Sequence, residues 1–203
     1  MKINYQKELD KIIDGLGGKT PRLLIHSCCA PCSSYCLEYL SEYFNITVLY
    51  YNPNIFPEEE FSKRLSEQKR LVSEMKLKNP VEVTDIGYDP DEFYSAVLGL
   101  ENEPEGGARC EKCFRIRLNK AAEIAKERNF DYFTTTLSIS PLKNAALLNQ
   151  IGEEISEQYG VKYLYSDFKK NDGYKRSIEL SKEYGLYRQS FCGCEFSKSK
   201  QDN

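Results

Sequence analysis

Seven of the eight cysteines in this chain fall into three tight groups. The groups are Cys28-Cys29-x-x-Cys32, Cys110-x-x-Cys113 and Cys192-x-Cys194. Thiolates two or three positions apart can bind the same zinc or iron ion. Groups this far apart in sequence share a centre only if the fold brings them together. The pattern therefore predicts a metal or redox centre assembled from three separate segments.

The composition favours a cytoplasmic protein whose clustered cysteines stay reduced. A chain of 203 residues is long enough to build a sizeable core without cross-links. The N-terminus lacks the apolar stretch of a secretory signal, and no apolar run is long enough to span a bilayer, so we expect no membrane partner. In a reducing compartment such cysteines are more often metal ligands or catalytic thiols than disulfides; a set of buried free thiols is the alternative.

Strand-like and helix-like segments alternate along the chain. Short β-branched or aromatic runs predict strands at Arg22–Ser27, Ile46–Tyr51, Val81–Ile86, Tyr132–Leu137 and Val161–Tyr165. Helical patterns cover Ser33–Tyr43, Glu58–Lys76, Asp91–Leu98, Glu111–Arg128 and Asn144–Tyr159. The alternation predicts an α/β fold with a mostly parallel five-stranded sheet flanked by helices and ligands at the carboxyl ends of the strands. We expect a single domain over residues 1–203, with a helical extension at 1–19 and a polar tail at 197–203.

The turn after the first predicted strand carries sulfur where nucleotide-binding proteins carry glycine. Its sequence is CCAPCSS, which begins at Cys28. Without glycine, the backbone has no ready access to positive φ and cannot let a phosphate approach closely. This turn therefore predicts a thiol site and argues against a phosphate cradle.

Cys110 and Cys113 lie where the loop Glu101–Arg109 ends and a long helix begins. Unpaired backbone amides and the helix dipole favour thiolates there. With Cys28 and Cys29 they supply four ligands, which suits a tetrahedral zinc ion or a four-iron cluster. The spacing fits both, and the three further cysteines favour a cluster over a zinc staple.

The remaining cysteines leave several roles open. A single glycine between Cys192 and Cys194 allows a small, strained disulfide that is easily reduced, or two ligands of a second metal. Cys32 is a candidate fifth ligand or resolving thiol. Cys36, one helical turn further on, is predicted to serve packing.

Other candidate side chains are weaker. His26, the one histidine, is predicted to be a hydrogen-bonded core residue. Asp85, Asp89 and Asp167 follow strands and are candidate acids or ligands, although aspartates also cap helices and make turns. Basic and aromatic residues suit contacts to phosphates and bases, or an ordinary charged surface: Lys169, Lys170, Lys175, Arg176 and Arg188 with Phe168, Tyr174 and Tyr187, and Arg109, Arg115 and Arg117.

Several long segments carry a family resemblance that runs from about His26 to Ser197. They are HSCCAPCSSY, YYNPNIFP, GLENEPEGGARCEKCFRIRL, FTTTLSISPLKN and DFKKNDGYKRSIELSKEYGLYRQSFCGCEFS. In these the chain resembles the QueH-type epoxyqueuosine reductases. The resemblance implies a nucleotide-binding (HUP or PP-loop-like) topology and a cobalamin-independent oxidoreductase. Its reaction would reduce epoxyqueuosine at the wobble position of a tRNA anticodon to queuosine, with loss of water.

The resemblance also implies cofactors and partners. The family is associated with an iron-sulfur cluster, so a 4Fe-4S cluster is expected on Cys28, Cys29, Cys110 and Cys113. Cys192 and Cys194 would form a redox-active pair, or with Cys32 hold an additional mononuclear iron. The partners would be a tRNA whose anticodon loop carries epoxyqueuosine, and an electron donor.

The expected mechanism has a metal, or an acid such as Asp85 or Asp89, polarise the epoxide oxygen. Two alternatives stay open. An iron-sulfur tRNA sulfurtransferase would need an ATP-binding glycine loop, which CCAPCSS lacks. A zinc-stapled module without catalytic activity would need only four of the cysteines.

Overall fold

The computed structural model describes residues 3–198. In chain order its elements are α1 (Tyr5–Asp14), β1 (Arg22–Ser27), α2 (Ala30–Leu40), β2 (Asn45–Tyr50), α3 (Glu58–Glu74), β3 (Val81–Asp85), α4 (Pro90–Ala96), α5 (Ala108–Glu127), β4 (Tyr132–Thr135), α6 (Ala145–Tyr159), β5 (Lys162–Tyr163), α7 (Gly173–Glu183) and α8 (Glu195–Lys198). A short 3-10 helix, Thr136–Ile139, follows β4. The predicted polar tail falls largely outside the described residues, which end at Lys198, the last residue of α8.

The five strands form one parallel sheet in the order β3-β2-β1-β4-β5. Ile25 in the middle of β1 is in register with Val48 on one side and Thr134 on the other. The chain winds outward from β1 in one direction and then returns to its other side, so the carboxyl ends of β1 and β4 flank the switch point where such folds bind ligands. The predicted α/β fold with a mostly parallel five-stranded sheet flanked by helices is confirmed, and all five strands are parallel.

The core lies on both faces of this sheet because neighbouring residues of β1 point in opposite directions. Leu24 packs with α5 and α6 on one face. Leu23 and Ile25 pack with α1 and α2 on the other. Burial on both faces explains why β1 reads as a continuous apolar run rather than an alternating one. Within residues 3–198, none of the helices combines the length and apolar character needed to cross a bilayer.

Several predicted boundaries were wrong. Helix α2 begins three residues early, at Ala30, because Cys29 is extended and Pro31 fits the first turn. Helix α5 likewise begins at Ala108, before the predicted Glu111. Strand β4 stops at Thr135, whose hydroxyl accepts a hydrogen bond from the backbone of Leu137 and starts the 3-10 helix.

Helix α7 was missed because most of its buried residues are small. Gly173, Ser177 and Ser181 are buried, and α7 packs closely on α2. A side chain at Gly173 would collide with the ring of Tyr35. Leu180 is its only large buried apolar residue, so the sequence lacks the repeated apolar spacing of an amphipathic helix and shows mainly charged residues.

Candidate active site

Three cysteines gather at the carboxyl end of β1, on what we call the cysteine turn (Cys28–Cys32). The sulfurs of Cys28 and Cys29 are 3.8 Å apart. With that of Cys32, all lie within 4.8 Å of one another, the only such group of three or more potential metal ligands in the described part of the chain. Ligands of a tetrahedral ion with metal–sulfur bonds of about 2.3 Å lie ~3.8 Å apart. The cysteine turn therefore fits a single thiophilic ion.

The three thiols of the cysteine turn differ in their pKa values. Hydrogen bonds from Cys29 and Cys32 hold the pKa of Cys28 well below its usual range, with the cations of Arg117 and Lys143 acting in the same direction. The same hydrogen bond to Cys28, together with burial, raises the pKa of Cys29 to about 12. The pKa of Cys32 is likewise raised by its bonds to both neighbours. The cysteine turn thus concentrates thiolate character on Cys28.

The other two cysteine groups meet each other. Cys113 and Cys194 lie in one small apolar cluster with Phe93 and Val97. All eight cysteines are free thiols, so Cys192 and Cys194 are not bridged in this structure. The fold thus brings the CxxC motif against the CGC motif, while Cys32 completes the group with Cys28 and Cys29.

The thiolate predicted for the start of α5 was wrong for Cys113. Burial raises its pKa to about 12 and outweighs the nearby charge of Arg117. Cys110 is partly exposed in the first turn of α5, where its sulfur accepts a hydrogen bond from the backbone N–H of Gly106 at 3.2 Å.

Buried cations surround the sulfurs. Arg117 and Arg64 are each 1% exposed. The Arg117 Nε donates to the carbonyl of Cys113 at 3.0 Å. The ammonium of Lys143 lies 3.4 Å from the Cys192 sulfur, whose charge is the main reason that the pKa of Lys143 is raised. Such an environment stabilises thiolates and, by the same electrostatics, any anionic metal–thiolate centre.

The segment Tyr184–Cys194, which we call the CGC segment, brings Cys192 to the mouth of a cavity of about 320 Å³ that Cys28 and Cys32 also line. Two cations and two aromatic rings complete much of the wall: Lys143, Arg188, Tyr174 and Phe191. This volume is at the small end of ligand pockets, and the mixture of rings, cations and sulfur suits a polar, ring-containing substrate group.

Helix α3 contacts both sulfur-bearing regions. The Gln68 Oε1 accepts hydrogen bonds from the hydroxyls of Ser27 and Ser33, at 2.9 and 2.7 Å, on either side of the cysteine turn. One helical turn earlier, Arg64 donates to the carbonyl of Cys192 at 3.2 Å. Helix α3 therefore holds the residues that flank the cysteine turn and the main chain at Cys192.

The predicted acids have local partners and do not line the cavity. Asp85 forms an exposed ion pair with Lys69, 3.0 Å between oxygen and nitrogen. Asp89 caps α4 by accepting from the backbone of Asp91. Asp167 pairs with Lys169. An acid role for Asp85 or Asp89 stays a prediction.

His26 is a core histidine, as predicted. Its Nδ1 lies 2.9 Å from the Thr135 hydroxyl and its Nε2 lies 3.0 Å from the carbonyl of Tyr51. Burial lowers the pKa of His26 to about 4, with the charge of Arg117 acting in the same direction. The imidazole is therefore neutral and structural.

Among the basic and aromatic candidates, Tyr174 and Arg188 line the cavity. Arg109 is buried and donates to the carbonyls of Glu101 and Glu103, at 2.7 and 2.6 Å. Arg109 and the buried Arg117 therefore face protein rather than a phosphate-binding surface, and that prediction was wrong for both.

Sequence reasoning missed Lys143 and Arg64. Lys143 follows the 3-10 helix after β4, so its place near the carboxyl edge of a strand was a usable signal. Arg64 lies in a strongly charged helix that reads as solvated. Only its spacing from Glu60, one turn earlier, hinted at a fixed orientation.

Fold and site together define an α/β protein with a group of three cysteines at the switch point of its sheet. A family model described as epoxyqueuosine reductase QueH matches residues 23–200. Proteins of that description are similar over 98% of this chain: one from Staphylococcus epidermidis is 45% identical and covered to 87%, and one from Streptococcus pyogenes is 45% identical and covered to 80%. The chain belongs to the epoxyqueuosine reductase QueH family, a family of oxidoreductases.

A relative of the same description from Thermotoga maritima is 37% identical, over 86% of this chain and 89% of its own length. Among solved structures, a predicted subunit of a tRNA methyltransferase from Methanocaldococcus jannaschii is similar, with a TM-score of 0.44 and 14% identity over 79% of this chain and 75% of that one. The family resemblance read from the sequence is confirmed.

Proposed function

We propose that this chain reduces epoxyqueuosine to queuosine at the wobble position of a tRNA. The observation that carries the proposal is the convergence of Cys28, Cys32 and Cys192 on one cavity. These thiols come from opposite ends of the sequence. Packing of the core does not require them to lie together at the wall of a solvent-accessible cavity, so their convergence there supports a chemical role. Membership of the reductase family supplies the substrate group.

The reaction requires a supply of electrons that the substrate does not carry. Two electrons and two protons are consumed, both carbon–oxygen bonds of the epoxide break, a carbon–carbon double bond forms and the oxygen leaves as water. An external reductant must therefore deliver two electrons through the thiol centre. This is the role of the expected electron donor.

The cofactor in this proposal is a 4Fe-4S cluster on Cys28, Cys29, Cys110 and Cys113. Cys192 and Cys194 serve as a redox pair or, with Cys32, as ligands of an additional mononuclear iron. Cys28, Cys29 and Cys32 lie within 4.8 Å of one another, and soft thiolate ligands near buried cations suit an iron centre. The close approach of Cys32 to Cys28 and Cys29 favours Cys32 as a ligand too. When bound, an iron centre supplies electrons one at a time.

Lys143 is the side chain best placed to act on the epoxide oxygen. Its ammonium faces the cavity beside the Cys192 sulfur. An ammonium has three N–H donors, so one can contact this sulfur while another contacts a substrate oxygen. A hydrogen bond there would stabilise the negative charge that develops as the carbon–oxygen bond breaks.

The cavity walls suit a nucleoside taken from an anticodon loop. Bases in such a loop are already partly unstacked, so withdrawing one costs little. Tyr174 and Phe191 offer aromatic surfaces for stacking, and Arg188 offers a cation for a phosphate. These contacts would select the modified nucleotide in its RNA context.

The decisive experiment is anaerobic purification with iron, sulfide and zinc analysis, followed by reaction of epoxyqueuosine-containing tRNA with dithionite. Mass spectrometry of the digested tRNA then detects queuosine. We expect iron, sulfide and product together, and no product without the reductant. Zinc without sulfide or turnover would overturn the proposal and return the cysteines to a structural staple.

The free epoxyqueuosine nucleoside provides a matched second substrate. We expect a much higher kcat/KM for the tRNA, because only the tRNA offers phosphates and neighbouring bases to the cavity rim. Equal kcat/KM values for the two substrates would contradict the proposed tRNA partner while leaving epoxide reduction in place.

A further inference from the structure

The CGC segment has to be held by something other than regular secondary structure. Between α7 and α8 it forms only turns and bends. Nevertheless Cys194 is just 8% exposed, and Cys192 reaches the cavity wall. Main-chain ladders cannot account for this order, so side chains from neighbouring elements must hold the segment.

One face of α3 binds the beginning of the CGC segment. Arg70 donates to the carbonyl of Tyr184 at 3.0 Å. Glu67 accepts from the backbone N–H of Tyr187 at 2.7 Å. The Glu60 carboxylate accepts from the Tyr187 hydroxyl at 3.1 and 3.2 Å. Residues at positions 60, 67 and 70 share a helix face, so the segment runs along α3.

Arg64, on the same face, holds the sulfur-bearing end. Its Nη1 donates to the carbonyl of Cys192 at 3.2 Å and its Nη2 to that of Phe191 at 3.4 Å. Its Nε donates to the Glu60 Oε1 at 2.7 Å. The guanidinium also lies over the Phe191 ring, 5.3 Å from its centroid. A planar fork with fixed donors restrains orientation as well as distance.

The main chain at Gly193 is confined from the opposite direction. Its carbonyl accepts from the backbone N–H of Phe56 at 2.9 Å. A Cβ on Gly193 would lie 2.9 Å from the Ile55 Cγ1 and 3.1 Å from the Arg64 Nη1. The dipeptide Cys192-Gly193 is thus clamped between Arg64 and the loop that precedes α3.

We propose that Arg64, oriented by Glu60, is the positioning residue that fixes the two thiols of the CGC segment, Cys192 at the wall of the catalytic cavity and Cys194 in the buried cluster with Phe93 and Val97. The inference rests on the proposed function, because it assumes that these thiols take part in turnover. Arg64 does not line the cavity, so it acts on the reaction through the main chain of the CGC segment rather than on the substrate.

The test compares Arg64→Met and Arg64→Lys with a matched control. Arg22→Met is suitable because Arg22 also donates to two carbonyls, of Arg128 and Asn129, and covers a phenyl ring, at the other end of β1. Each protein, as purified anaerobically, is exposed to iodoacetamide, and alkylation of each cysteine is followed by peptide mass spectrometry. Steady-state kinetics with epoxyqueuosine-containing tRNA are measured on the same preparations.

In Arg64→Met we expect Cys194 to be alkylated at least about 10-fold faster, while the fully buried Cys36 stays protected. We expect kcat to fall about 10- to 100-fold with KM within about 2-fold, because misplacement of about 1 Å costs turnover rather than binding. Arg64→Lys should lie between, since an ammonium lacks the fork. Arg22→Met should match the wild type in both readouts.

Unchanged alkylation of Cys194, or a raised KM with kcat intact, would overturn the proposal. If Arg64→Met also exposes Cys36, the protein has unfolded, and the same two criteria then apply to Arg64→Lys. Alkylation is measured without substrate. If the wild-type protein fails to reduce epoxyqueuosine-containing tRNA while Arg64→Met still shows faster alkylation of Cys194, the proposed function is refuted but the positioning role of Arg64 stands.

Discussion

The cysteine turn and the CGC segment both present sulfur to the same cavity, but they are held by different means. The cysteine turn joins a central strand to a helix, so its main chain is fixed by the sheet on one side and by α2 on the other. The CGC segment has no such framework and depends on Arg64, Glu67 and Arg70.

This difference in how the two segments are held predicts which substitutions each segment should tolerate. In the cysteine turn, position follows from the fold, so the sulfurs themselves carry the function. In the CGC segment, residues without any chemical role decide where the sulfurs lie. Substitutions in the two regions should therefore fail in different ways.

Cys28→Ser should have the largest effect. Cys28 carries the most thiolate character of its group, and its removal takes from the proposed metal site the thiol that deprotonates most readily. We expect loss of bound iron and a fall in activity of more than about 100-fold, with the fold intact. Iron analysis and the tRNA assay check this outcome. Full iron content with normal turnover would remove Cys28 from the centre.

Lys143→Met should come next. The substitution keeps length and removes the ammonium beside Cys192, so turnover should fall about 100-fold, the cost of losing one donor to a developing oxyanion. Lys143→Arg should retain part of the activity.

The comparison variants are Asp85→Asn and Asp89→Asn, which alter exposed carboxylates outside the cavity. We expect both to keep activity within about 2-fold. Loss of turnover in either one, with Lys143→Met active, would instead assign the acid to that aspartate.

Gly193→Ala tests the CGC segment without touching a sulfur. Gly193 has φ +103° and no room for a Cβ, so alanine should cost about 1–3 kcal/mol and displace the neighbouring thiols. Activity should fall about 10-fold. Gly185→Ala is the matched control, since Gly185 also has positive φ, +55°, but open space around it. Denaturant unfolding and turnover are compared. Equal loss of activity in both would point to strain alone.

Cys36→Ser should have the smallest effect. Cys36 is fully buried among apolar residues, and its thiol donates to the carbonyl of Cys32 at 3.4 Å, a bond that a hydroxyl can replace. We expect a loss of stability of about 1 kcal/mol and unchanged iron content and turnover. A loss of iron would bring Cys36 into the centre after all.

Most of the sheet was predictable because each strand is a short run of β-branched or aromatic residues that is visible in the local sequence. The continuous apolar run of β1 and the alternation of strands with helices were sufficient for the parallel architecture. Helix α7 was not predictable in the same way. It packs through glycine and serine, and its stability depends on the shape of α2, including the ring of Tyr35.

The candidate site also has one part that local sequence predicts and another that depends on tertiary contacts. Tight spacing revealed the cysteine groups, and the place of Cys28 after a strand revealed the cavity edge. The contributions of Arg64 and Lys143 could not be predicted, because each depends on contact with Cys192, more than a hundred positions away from Arg64 and 49 from Lys143. Spacing within a motif says nothing about such long-range partners.

Helix α3 fixes the distance between the cysteine turn and the CGC segment, because it binds both. Gln68 binds both hydroxyls that flank the cysteine turn, and Arg64 binds the carbonyls of the CGC segment. These side chains are four residues apart, about 6 Å along the helix axis. The pitch of one helix thereby sets the offset between sulfurs from opposite ends of the chain. A single residue inserted between Arg64 and Gln68 would rotate one of these side chains about 100° around the helix relative to the other. The number of residues in this stretch must therefore stay the same, even at positions where the residue type can change.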